Sequence, residues 1–172
     1  MKLPALADAR RKLTKTNAAS CLLVAIAVLF TVLSVALLKS HHTSEDQRAG
    51  DAAILSAARS GVTAMISVRD TSAADDVQKV LDQSTGIFKK DFEARSQAFI
   101  GIVQQAKVVT QGDVVAQGIE SRGDGSATVL VTATSSVTNA AGANNESRSW
   151  RLRVTMSDDE GQYKMSNVEF VA

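Results

Sequence analysis

Between Asn17 and Leu38 the chain runs for 22 residues without a charged side chain. Its apolar part, Ala18–Leu38, has 21 residues, about 31 Å of helix at ~1.5 Å per residue, close to the thickness of a bilayer's hydrocarbon layer. A helix buried in a soluble core keeps a polar face, and this segment is apolar all round. The hydroxyls of Ser20, Thr31 and Ser34 can bond back to carbonyls one turn earlier. A transmembrane helix over 18–38, with the lipid bilayer as its solvent, is therefore expected. Five Lys/Arg precede it, whereas Lys39 and Arg48 are the nearest basic residues behind it. The positive-inside bias makes residues 1–17 a cytoplasmic basic head and puts the rest of this single-pass cell-membrane chain outside. The rival is a signal peptide cleaved at the small-x-small Ser34-Val35-Ala36. The run exceeds a signal core of ~7–15 residues and continues through Leu37-Leu38, which favours an uncleaved signal anchor. Cys21 reads as an apolar filler, with palmitoylation as the alternative.

The formal charge of +1 conceals this division. Residues 1–42 hold six Lys/Arg against Asp8 alone, a net +5, and residues 43–172 hold thirteen against seventeen Asp/Glu, a net −4. A mildly acidic body lacks the basic stripe that nucleic acid requires. One Cys excludes an intramolecular disulfide framework, and His41-His42 leave little for a metal site. No cofactor is expected.

Past the membrane, helical period gives way once to strand period. Ser44 with Gln47 three residues on forms a capping box. Ile54, Leu55, Ala58, Val62, Met65 and Ile66 then recur at three-to-four spacing, predicting an amphipathic helix over about 45–68. Residues 39–71 are thus a juxtamembrane linker with the first helix, and 72–172 the rest of one extracytoplasmic α+β domain. Ser72 is placed to cap a short second helix, with Asp75 and Asp76 at its positive end and Val77, Val80 and Leu81 buried. Thr85-Gly86 breaks it, and a third helix puts Phe88, Phe92, Phe99, Ile102 and Val103 on one stripe. From about 106 the pattern is antiparallel strands. Lys107–Thr110 and Val114–Glu120 flank Gly112-Asp113 as one bent strand or two short ones, the glycine suggesting a bulge. Gly123-Asp124-Gly125 is a hairpin turn. Ala127, Val129, Val131 and Ala133 alternate, Ala140–Asn145 is a loop, and Trp150, Leu152, Val154 and Met156 alternate opposite Arg151, Arg153 and Thr155. Asp158-Asp159-Glu160-Gly161 turns into a last strand carrying Tyr163, Met165, Val168 and Phe170. Helices first and strands after predict helices packed on one face of a curved antiparallel sheet.

The order of basic head, membrane helix and Ala-rich helix is followed by Leu81-Asp82-Gln83-Ser84-Thr85-Gly86-Ile87-Phe88, a long helix, three or four strands, and a closing Gly161-Gln162-Tyr163-Lys164-Met165. Over residues 18–172 this resembles the actinobacterial Mce-associated membrane proteins. The specific pieces are Leu81, Thr85, Gly86 and Phe88, and the Gly161-x-Tyr163 ending. Ile66-Ser67-Val68 stands where that family tends to have an aromatic pair, and Tyr163 where Trp is common. The resemblance implies a cone-shaped domain like nuclear transport factor two, also used by inner-membrane assembly factors of type IV secretion. It further implies an accessory or stabilising role in cell-envelope lipid or sterol transport.

Candidate sites weigh against an enzyme. Tyr163 alternates among apolar partners as a core residue, and the carboxylates at Asp75-Asp76 and Asp158–Glu160 suit a helix start and a surface turn. No residue set supplies nucleophile, base and orienting group together. Asn145-Glu146-Ser147 matches a glycosylation acceptor, a pattern common by chance. Arg151 and Arg153 share a solvent-facing strand face, either to discourage edge pairing or to contact a partner subunit. The expected function is a non-enzymatic, membrane-anchored accessory subunit of an Mce-type lipid transport complex. Its alternatives are a lipid-binding cone, with room over Ala127 and Ala133, and a self-associating assembly factor of a secretion-like machine.

Overall fold

The computed structural model describes residues 47–171. The membrane segment expected over 18–38, the head before it, Cys21 and His41-His42 lie outside the described residues. No helix among those described is long and apolar enough to cross a membrane.

Amphipathic spacing builds the first helix. α1 (47–65) buries Ile54, Ala58 and Val62 on one face, and Ile66 continues that face just past its end. The helix stops short of the expected 68, because Val68–Arg69 form a two-residue strand, β1, antiparallel to Val109 and Thr110. Propensity does not foresee so short a strand, which is defined by its pairing with residues 40 and 42 positions on. A 3₁₀ turn, Asp70–Ser72, leads into α2 (Ala73–Asp82), which buries Ala73, Val77, Val80 and Leu81. Ser72 occupies the N-cap position but makes no cap bond to the helix backbone. A cap would have its oxygen accept a backbone N–H; here the hydroxyl donates to the Asp76 carboxylate at 2.8 Å, a charge-assisted bond.

α3 (Gly86–Gln105) fully buries only Ser96 and Val103. Phe88 and Phe92 stack at 5.9 Å and pack partly against the core, as the stripe predicts. Farther along the same stripe Phe99 is 38% and Ile102 63% exposed. Helical period identifies residues that share a face, not whether the face is covered along its whole length.

The sheet is a meander in the order β1-β2-β3-β4-β5, antiparallel throughout. β2 (Val109–Gly123) is one long strand with two bulges, near Val115 and Glu120. Each bulge inserts a residue and flips the alternation. The face toward the helices is therefore Thr110, Gly112 and Val114, then Gln117 and Ile119, then Arg122, opposite Val137 through Ala127 of β3. No bulge falls at Gly112. A Cβ there would collide with the Ile66 side chain, so the glycine is required by the close approach of the chain after α1. β3 (Ser126–Thr138) and β4 (Glu146–Asp159) pair without interruption and keep strict alternation, with Ala127, Val129, Val131, Ala133, Leu152, Val154 and Met156 buried as expected. β5 (Gln162–Phe170) closes the meander through a Glu160-Gly161 turn, both residues at positive φ as a type I′ hairpin demands. One contiguous core joins the sheet's inner face to α1 and Val80, with Met165 fully buried at its centre.

Candidate functional site

A cone fold offers three places for chemistry or contact: its interior, its outer sheet face and its open end. The interior is filled. Ala127 and Ala133 are 2% and 0% exposed, in one cluster with Ile54, Ala58 and Val62 of α1. Small sheet residues are matched by side chains from above, which leaves packed core instead of a ligand chamber. Tyr163 sits at the edge of this cluster, half-buried. The carboxylates of the neighbouring turn are engaged locally. Asp158 accepts the Gly161 N–H at 2.8 Å, and Asp159 pairs with Lys164 at 2.7 Å. The Lys164 ammonium holds Asp159 below the usual carboxylate range.

Asp76 is the most enclosed carboxylate of the ion pairs, with 14% of its side chain exposed. It accepts from Ser72 at 2.8 Å, from Lys79 at 2.8 Å and from the Arg69 N–H at 3.1 Å. Burial alone pushes its pKa up, but the bonds from Lys79, Ser72 and Arg69 outweigh this and hold it below its ordinary value. Arg69 ends β1, Ser72 lies on the joining turn and Lys79 on α2, so the knot ties that connection down. It was not foreseen beyond a favourable charge at a helix start. Among the described residues no cluster of three His, Cys, Asp or Glu could hold a metal ion.

On the outer face the two arginines part company. Arg153 is clasped by Glu120 through two bonds of 2.9 Å that reach from β4 across β3 to β2, with Glu169 at 4.0 Å. The bidentate bond from Arg153 lowers the Glu120 pKa, and the bond to Glu120 raises that of Arg153. Arg151 instead borders a shallow trough of about 300 Å³ over Ala116 and Thr132, between Leu130 and Val171.

The open end holds a cleft of about 300 Å³. Met65, Phe99, Ile102, Val137 and Trp150 line it, and Arg148 stands among them as its one charged group. The Trp150 indole N–H donates to Ser135 Oγ at 2.9 Å, which fixes the ring's orientation, and Phe170 lies against it at 6.0 Å.

The residues singled out by resemblance converge elsewhere. The Thr85 N–H donates to the Met165 carbonyl, and the Met165 N–H donates to Gln83, each at 2.9 Å. Ser84 thereby forms a short parallel bridge to Met165. Gly86 opens α3 at φ +59 beside Ser166, Leu81 is buried, and Phe88 packs on the core. The two motif segments, about eighty residues apart in the chain, thus meet at Met165 on the outer edge of β5.

A family model matches residues 15–172, under the description Uncharacterized protein Rv1363c/MT1408-like. The chain belongs to that family. Uncharacterized protein Rv1363c of Mycobacterium tuberculosis (strain ATCC 25618 / H37Rv) is 48% identical over 142 residues, which are 83% of this chain and 54% of the relative. The chain thus spans about half the length of the curated relative it matches. Among solved structures, an IcmL-like type IV secretion system protein from Legionella pneumophila matches with TM-score 0.54 at 6% identity, over 67% of this chain and 87% of that one. The periplasmic domain of DotI matches with TM-score 0.54 at 14% identity, over 70% of this chain and 94% of that one. At these identities the likeness is one of fold: the helices-then-sheet cone expected from sequence is shared with secretion-protein domains.

Proposed function

We propose that this chain is a non-enzymatic docking subunit of a multi-protein assembly in the cell envelope. In this reading the segment 18–38 anchors it in the membrane, and the cone stands outside, where tethering raises its effective concentration for partners. The observation that carries the proposal is the filled interior. With Ala127 and Ala133 packed in one cluster with α1, the domain keeps outer surfaces and an open end for function, and Asp158 and Asp159 beside Tyr163 are spent on a turn and an ion pair. The solved neighbours support an assembly role, since cones of this shape occur in type IV secretion system proteins.

The finer reading from resemblance, an accessory subunit of Mce-type lipid transport, names a different assembly for the same docking domain. The neighbours favour the secretion-like alternative over it. Mild-detergent purification from native membranes tests the proposal: recovery in a stoichiometric complex is expected, and reproducible recovery alone overturns it. The identity of the co-purifying proteins separates the two assemblies, because permease-like and substrate-binding subunits would support lipid transport and ring or channel components would support the secretion-like machine.

A further inference from the structure

Aromatic residues are scarce in this chain: five Phe, one Trp and one Tyr. Of the six within the described residues, Phe88, Phe92, Trp150 and Tyr163 pack partly against the core, Phe99 lies against Phe92 at 6.4 Å, and Phe170 lies against Trp150. Phe99 and Ile102 on α3 line one cleft with Trp150 on β4, and Phe170, 70% exposed, extends the apolar surface past Trp150. A fold short of aromatics that leaves Phe99 and Phe170 exposed on either side of the half-buried Trp150 concentrates there the residue types that are enriched in protein–protein contacts. The Ser135 bond holds the indole in one orientation before anything binds, so little side-chain entropy remains to be lost on contact.

Charge decides what fits. Arg148 stands in the cleft lining, and among the described residues no carboxylate lies within ion-pair distance of it. Lys107 follows the last turn of α3 next to the lining residue Val108, and Arg95 lies one turn before Phe99 on the same helix. The last ten residues of α3 carry no charge, and the acidic residue beside Arg148 on its strand, Glu146, does not line the cleft. An apolar trough whose lining carries one arginine and no carboxylate disfavours a basic segment and has two of the three elements of a helix-in-groove site, the third being the helix.

We propose that this cleft is the docking site for an acidic amphipathic segment of a partner protein. Its bulky apolar side chains would rest between Phe99, Ile102 and Trp150, and its carboxylates would meet Arg148. The inference rests on the docking function proposed above. A complex that co-purifies intact from cells carrying Arg148→Glu would keep that function and remove this site.

The test places a benzoylphenylalanine photocrosslinker at Ile102 in the full chain in its native membranes, with a second at Ile87, exposed at the opposite end of α3, as control. A protein adduct specific to position 102 is expected, and its crosslinked peptide is expected to be amphipathic and acidic. Arg148→Glu should reduce the yield about tenfold at unchanged circular dichroism, and exchanging a carboxylate of the captured peptide for Lys should restore it. A lipid adduct, a second copy of this chain, a basic peptide, equal capture at Ile87, no adduct at all, or indifference to Arg148→Glu each overturns the proposal.

Discussion

Asp76 illustrates how one side chain can hold a connection together. Its carboxyl lies below the ordinary value of 3.8 in the folded domain, so the unfolded chain binds more protons than the folded one as pH falls past that value. The stabilisation is therefore complete above the unfolded pKa and is lost as pH drops through the lowered folded one. Asp76→Asn should cost about 1–3 kcal/mol near neutral pH, since it removes charge-assisted bonds to Ser72, Lys79 and Arg69. It should also flatten the acid limb of stability below pH 3.8. Urea unfolding followed at several pH values checks both, and an unchanged acid limb in the variant would count against the knot. A local pattern predicts a carboxylate at a helix start, but the bond from Arg69 exists only because β1 brings that residue back beside α2.

At the scale of elements, legibility follows regularity. β3 and β4 were readable because they lie within the sheet, pair without bulges, and present one face to the core and the other to water. β2 was ambiguous because its two bulges reverse the alternation twice, and a period-2 reading assumes none. The open-end cleft was hidden for another reason: Phe99, Ile102 and Trp150 fit the core pattern of their own elements, and only tertiary structure reveals that Phe99 and Ile102 stay exposed and Trp150 half-buried there. The Gly86 break and the final turn were legible as motifs, whereas their meeting at Met165 was not, since no local rule joins segments so distant. Two other glycines report on α1 and the residues that follow it. Gly112→Ala, whose Cβ would collide with Ile66 Cγ1, should cost about 1–3 kcal/mol by overpacking. Gly61→Ala meets the end of the flexible Met165 side chain at 2.8 Å and should cost less. Thermal melts of the two variants should rank in that order.

For the molecule as a whole, a filled cone and a tethered cone make separate expectations. If the interior were a ligand chamber, enlarging Ala133 would be tolerated or even stabilising. In a packed core Ala133→Leu should instead lower stability by about 1–3 kcal/mol, measurable by chemical denaturation. The charge division between head and body predicts the orientation. A phosphatase fused after residue 171 should be active on intact cells, and a tag on the basic head should resist externally added protease. The opposite pattern would reverse the assignment of inside and outside.

Met165 has a consequence in time as well as in space. It sits beneath Gly61, beside Ser84 and against Met156, so α1, the α2–α3 joint and the central sheet all converge on a strand synthesised after them. Contacts that span so much sequence form late, because the long loops they close must first be ordered. A growing chain therefore leaves the place that Met165 fills, between Gly61 and Met156, open until β5 has been made. During that interval it depends on whatever shields nascent apolar surface in its compartment.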